Sequence, residues 1–120
     1  MAAAMKKMSP QAREALLLKL LIQVFEHRIS EGELLSTLRK QVLGLNQTQY
    51  AALVGISRRT LSNVERNAGS QTLTVLNAVF KPLGLRAGLL PGSVSLTEKM
   101  VATLQAAGRD DKGKDSEVAA

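Results

Sequence analysis

Apolar positions recur along this chain at helical spacing, in blocks separated by Gly, Pro and Ser. The first block opens at Ser9-Pro10, where Ser can cap a helix and Pro fits its first position. No Gly or Pro interrupts Gln11 to His27. Leu18, Ile22, Phe25 and Ile29 line one face, with Leu17, Leu21 and Val24 beside them, while Lys19, Gln23 and Glu26 share the other. An apolar face this broad needs cover on more than one side. The cover is either the protein's own domain or a second copy.

Ser30 and Glu33 form a capping box, S-x-x-E, for a second helix with Leu34, Leu35, Leu38 and Val42 inward and Gly44 at its end. Asn46 caps a third, over roughly Gln47 to Val54, with Tyr50, Ala51 and Val54 inward. Gly55 suits the left-handed residue after a helix end. Ile56 plugs the turn, and Ser57 caps a fourth helix, Arg58 to Arg66, with Leu61 and Val64 inward. Two short helices joined by a tight Gly-containing turn make a helix-turn-helix, and the small Ala51 lets them cross closely. After the loop Asn67-Ala68-Gly69-Ser70, Thr72 caps a helix with apolar Leu73, Leu76, Val79 and Phe80, which Pro82 should terminate or bend. Leu85 to Leu90 is short and apolar enough for a strand. Pro91-Gly92 turns, and the Ser95–Glu98 capping box starts a last helix to Ala107. The small, charged segment from Gly108 has the composition of a disordered tail. The expected organisation is an N-terminal helical extension over 1–29, a helix-turn-helix domain over 30–90, a C-terminal helix over 91–107 and a tail over 108–120.

Composition narrows the class. Aromatics are 2% of 120 residues, so the core rests on Leu, Val, Ile and Ala, which suits an all-α fold. With no cysteine and one histidine, His27, neither a disulfide nor a thiolate metal site can form. The apolar stretch Ala15 to Phe25 is too short, and too interrupted by Lys19 and Gln23, to span a bilayer. No Ala-x-Ala cleavage site follows it, so a soluble cytoplasmic protein without membrane association is expected. The net charge of +6 fits an anionic partner, and its placement is informative. Lys and Arg exceed Asp and Glu by five to two over residues 1–30 and by seven to three over 31–90, but number four against five over 91–120. The basic excess thus lies outside the C-terminal part.

The segment LNQTQYAALVGISRRTLSNVERN, Leu45 to Asn67, resembles the lambda-repressor-like (XRE/Cro) helix-turn-helix family. The shared frame is Leu45, Gln47, Ala51, Gly55, Ile56, Ser57, Leu61 and Glu65, and the resemblance covers about Gly32 to Leu90. The later TLSNVERNAGSQTLTVLNAVFKPLGL is similar to HipB-like antitoxins, which carry a T-[IL]-S-N-x-E segment, a T-L-T helix and a short strand. The family usually has an aliphatic residue where Tyr50 stands, and this phenol needs a polar partner or the surface. In the family an Arg of the first domain helix often pairs with the Glu of the recognition helix. Counting back from Gly44 places Lys40 there with Arg39 adjacent, so Glu65 is expected in a fold-holding ion pair with one of the two.

The resemblance implies that Arg58, Arg59, Ser62 and Asn63 face a DNA major groove. Arg can bond guanine O6 and N7 together, and Asn can bond adenine N6 and N7. Ser57 caps this helix at the groove, Gln47 resembles the family's phosphate-contacting Gln, and Arg66 is expected on the backbone or in solvent. No paired carboxylates, nucleophile–base set or glycine-rich phosphate loop occurs, so an enzyme is not expected, nor a cofactor or metal. The expected function is a sequence-specific transcriptional regulator, a repressor acting on double-stranded DNA as a homodimer. The dimer would be held by Leu18, Leu21, Ile22 and Phe25 or by a strand near Ala87 to Leu90. Two alternatives stand beside it: an antitoxin that binds a HipA-like kinase toxin and represses its own operon, and a protein-interaction module without DNA binding.

Overall fold

The computed structural model describes residues 8–110. Among them lie six α-helices: α1 (Pro10–Phe25), α2 (Glu31–Leu38), α3 (Gln47–Val54), α4 (Arg58–Glu65), α5 (Leu73–Phe80) and α6 (Val94–Asp110). A π-helical turn, Arg39–Leu43, prolongs α2, and a 3-10 turn, Lys81–Leu83, prolongs α5. The chain divides into two compact units, Met1–Leu89 and Leu90–Ala120.

The first unit holds α1 to α5 around a Leu- and Val-rich core. Leu20 and Val24 of α1 meet Leu34, Leu35 and Leu38 of α2, Tyr50 and Ala51 of α3, Leu61 and Val64 of α4, and Val79 and Phe80 of α5. On α1 the inward stripe is Leu20 and Val24, with Leu16, Leu17 and Leu21 partly buried against the same core. Leu18 and Ile22, on the broad apolar face, are 54% and 57% exposed. Leu73 also points outward, because as the first residue of α5 it precedes the turn that reaches the core.

Local chemistry sets each boundary. Ser9, Ser30, Asn46, Ser57 and Thr72 all accept a backbone N–H of the first turn behind them, and Ser30–Glu33 and Asn46–Gln49 complete reciprocal capping boxes. Two helices end without glycine. In α1, His27 takes φ 61° and the N–H groups of Arg28 and His27 return to the carbonyls of Gln23 and Val24. In α4, Asn67 takes φ 57° and those of Ala68 and Asn67 return to Asn63 and Val64. Both are the doubled C-terminal closure that satisfies orphan carbonyls.

The strand expected over Leu85 to Leu90 does not form. The segment has no regular secondary structure, and its Ala87 N–H donates to the Asn77 side chain at 2.8 Å. A strand needs a neighbour for its backbone groups, and among the described residues no other strand exists.

In the second unit, α6 starts at Val94, ahead of the expected Ser95 cap. Ser93 Oγ accepts the Leu96 N–H at 3.1 Å and its carbonyl accepts that of Thr97, so the first serine after Pro91-Gly92 caps the helix and Ser95 falls inside it. The helix runs through Gly108 to Asp110, three residues into the segment read as a tail. Gly inside a helix costs about 1 kcal/mol, too little to stop it there. Residues 111–120 lie outside the described residues. Among those described, no helix is long and apolar enough to cross a membrane.

Candidate nucleic-acid interface

The break between α3 and α4 is made by Gly55, at φ 79°, a conformation that L side chains rarely adopt. Its N–H and that of Ile56 both close on the Ala51 carbonyl, at 2.9 and 3.0 Å. The chain is then free to start a new helix in a new direction. Ser57 caps it, accepting the Thr60 N–H at 3.0 Å and donating to Thr60 Oγ1 at 2.9 Å. Leu61 and Val64 bury in the core, which turns Arg58 and Arg59, in the first turn, out to solvent.

A buried ion pair holds α4 in place. Arg39 donates from Nε to Glu65 Oε2 at 2.6 Å and from Nη2 to Oε1 at 2.8 Å, while its Nη1 donates to the Leu45 carbonyl at 2.9 Å. Both side chains are only 5% exposed. Gln47 Nε2 adds a bond to Glu65 Oε1 at 2.9 Å, so the base of α4, the end of α2 and the start of α3 share one polar network. Burial pushes the Glu65 carboxyl up. The hydrogen bonds from Arg39 and Gln47, with the charges of Arg39 and Lys40, outweigh it and hold the group below the usual carboxylate range.

Of the two cations considered for Glu65, the structure brings in Arg39 and leaves Lys40 exposed. The π turn is the reason. It takes up one more residue than an α turn, so counting back from Gly44 in α-helical steps lands one position late. Tyr50 also finds its partner: fully buried, it donates its hydroxyl to the Val79 carbonyl, one of the orphan acceptors in the last turn of α5. Burial, reinforced by the Glu65 charge and opposed by Arg39, pushes this phenol up to about 12.

Arg58 and Arg59 are exposed at the start of α4, and neither has a side-chain partner among the described residues. Ser57 is exposed with its hydroxyl engaged by Thr60. Ser62 and Asn63 are half-buried one turn further on, and Arg66 Nη2 donates to Asn63 Oδ1 at 2.9 Å. Gln47 is half-buried and tied to Glu65, which leaves its second amide N–H and the N-terminus of α3 for an anion.

Two contributors to this geometry escaped the sequence reading. Gly32 abuts the end of α4: a Cβ there would lie 2.4 Å from the Glu65 carbonyl oxygen and 2.6 Å from that of Val64. Asn67 then locks the two helices, accepting the Gly32 N–H at 3.2 Å and donating to Ser30 Oγ at 2.9 Å. An Asn after a helix and a Gly in the first turn of another are common separately. No local pattern reveals that they meet.

Comparison with known proteins agrees with this geometry. Residues 35–90 match the family model described as HTH_3: Helix-turn-helix. This segment is a helix-turn-helix domain of that lambda-repressor-like type, in an all-α fold, and the family is a DNA-binding one. No curated protein matches the chain, and no solved structure does.

Proposed function

We propose that this protein is a sequence-specific transcriptional repressor that binds double-stranded DNA as a homodimer and reads the major groove with α4. The single observation that carries the reading is the first turn of α4, where two adjacent exposed arginines, without side-chain partners among the described residues, project from a helix whose opposite face is anchored by Leu61, Val64 and the Arg39–Glu65 pair. A helix of this kind fits the major groove, and its N-terminal residues reach base edges first. Gln47 and the N-terminus of α3 take the phosphate next to it. Two-fold symmetry of a dimer would set half-sites about one helical turn apart. The exposed Leu18 and Ile22 on α1 are suited to such a dimer.

The test is a titration of labelled duplex, taken from upstream of the protein's own gene, at several salt concentrations. Release of counterions predicts affinity that falls steeply as salt rises. Salt-independent binding, or none, overturns the proposal. The T-L-S-N-V-E segment, Thr60 to Glu65, favours a second reading of the same chain as a HipB-like antitoxin. Copurification of a HipA-like kinase would support it, and a repressor that never associates with a kinase would exclude it.

A further inference from the structure

The contact between Arg66 and Asn63 restricts what Asn63 can read. Arg66, the residue that follows α4, places its Nη2 2.9 Å from Asn63 Oδ1, one turn back on the helix. Guanidinium nitrogens are donors only, so the amide is fixed in one sense: its oxygen faces Arg66 and its NH2 faces away. An Asn reads adenine by giving an N–H to N7 and accepting from N6 through its oxygen. Here that oxygen is already turned to an arginine. Two N–H donors remain on the outer side, and they match bases that offer only acceptors there: guanine, with N7 and O6, or thymine, with O4. With one of that oxygen's two lone pairs taken by Arg66 and the amide turned toward it, the donor edge of cytosine is disfavoured for the same reason.

We propose that Arg66 is a positioning residue that sets the specificity of Asn63, so that Asn63 selects guanine or thymine rather than adenine at its place in the operator. The inference rests on the reading of α4 as the DNA-reading helix. Arg66 is exposed and outside the core, so its loss leaves the fold in place.

The experiment is selection of bound sequences from a random duplex pool with the full chain, as wild type, Asn63→Ala, Arg66→Ala and Arg66→Lys. Circular dichroism melting checks the fold of each. The wild type should show one position at which guanine or thymine is preferred, and Asn63→Ala should lose that preference, on the order of tenfold. Arg66→Ala frees the amide to turn over, and adenine should then enter at the same position. Arg66→Lys keeps a donor toward Oδ1 and should restore the wild-type choice. An adenine at the Asn63-dependent position of the wild type overturns the proposal. So does an Arg66→Ala variant that binds all sequences more weakly with unchanged preferences, because that is a phosphate contact only. A selection in which Asn63→Ala changes nothing overturns it as well. Failure of the wild type to enrich any sequence instead overturns the DNA-reading assignment itself, and so separates the two.

Discussion

Removing Arg39 should be among the most damaging single changes in the domain. Arg39→Ala deletes two hydrogen bonds to Glu65 and one to the Leu45 carbonyl, and leaves a carboxylate 5% exposed with only Gln47 beside it. Breaking a buried ion pair from one side costs roughly 3–5 kcal/mol, because the remaining charge stays buried. Small domains unfold with about 5–15 kcal/mol, so the loss is about a fifth of the stability or more. Arg39→Lys keeps the charge but not the fork or the Leu45 bond, and should cost less, about 1–3 kcal/mol. The pH dependence has a definite sign. In the wild type the Glu65 pKa is lowered from its ordinary 4.5. Its contribution is therefore present above that value and is lost as pH falls through the folded pKa. In Arg39→Ala the hydrogen bonds and charge of Arg39 no longer hold this group down, so it takes up a proton at a higher pH than in the wild type, and acid relieves the damage. The gap between the two proteins should narrow on acidification. Urea unfolding followed by helical circular dichroism, at neutral pH and in the acid range, measures both quantities. A cost below about 1 kcal/mol, as at an exposed pair, or a gap that does not narrow, would refute the reasoning.

Three further outcomes follow from the packing. Tyr50→Phe leaves the Val79 carbonyl without its donor and should lose roughly 1–3 kcal/mol. With the folded phenol raised from 10.0 to about 12, this group's contribution is full below pH 10 and declines from there to about 12, readable in phenolate absorbance because Tyr50 is the sole tyrosine. Gly32→Ala drives a Cβ into the α4 carbonyls and should destabilise by about 1–3 kcal/mol or more, with a lowered melting temperature as the readout. Leu61→Ala opens a cavity in a fully buried site and should lose roughly 2–5 kcal/mol in urea unfolding.

The helix-turn-helix was legible because its signals are local. A cap at Asn46, a left-handed Gly55, a cap at Ser57 and inward Tyr50, Ala51, Leu61 and Val64 fix two helices and their crossing within one short stretch. Contacts between distant segments were harder to see. The π turn shifted the register of α2, so spacing alone could not choose between Arg39 and Lys40. The partner of Tyr50 lies on α5, and the clamp of Asn67 on Gly32 joins the turn after α4 to the first turn of α2. At Leu85 to Leu90, apolar composition suggested a strand, but composition cannot supply the neighbouring strand that pairing requires. The Ser95–Glu98 motif satisfied a pattern that Ser93, two residues nearer the turn, made redundant.

The central claim is that α4 reads DNA through Arg58 and Arg59. The most direct measurement is the ratio of affinities for the best selected operator and for a scrambled duplex, for wild type, Arg58→Ala and Arg59→Ala at one salt concentration. Both arginines are exposed, so the unfolding curves of the variants should overlay the wild type. For an arginine that bonds guanine bidentately, the ratio should fall by about 1–3 kcal/mol, with relaxed preference at a single base pair. An arginine on phosphate should instead weaken both duplexes alike and flatten the salt dependence by about one unit. If both variants bind operator and scrambled duplex as the wild type does, α4 is not the reader and the account is contradicted.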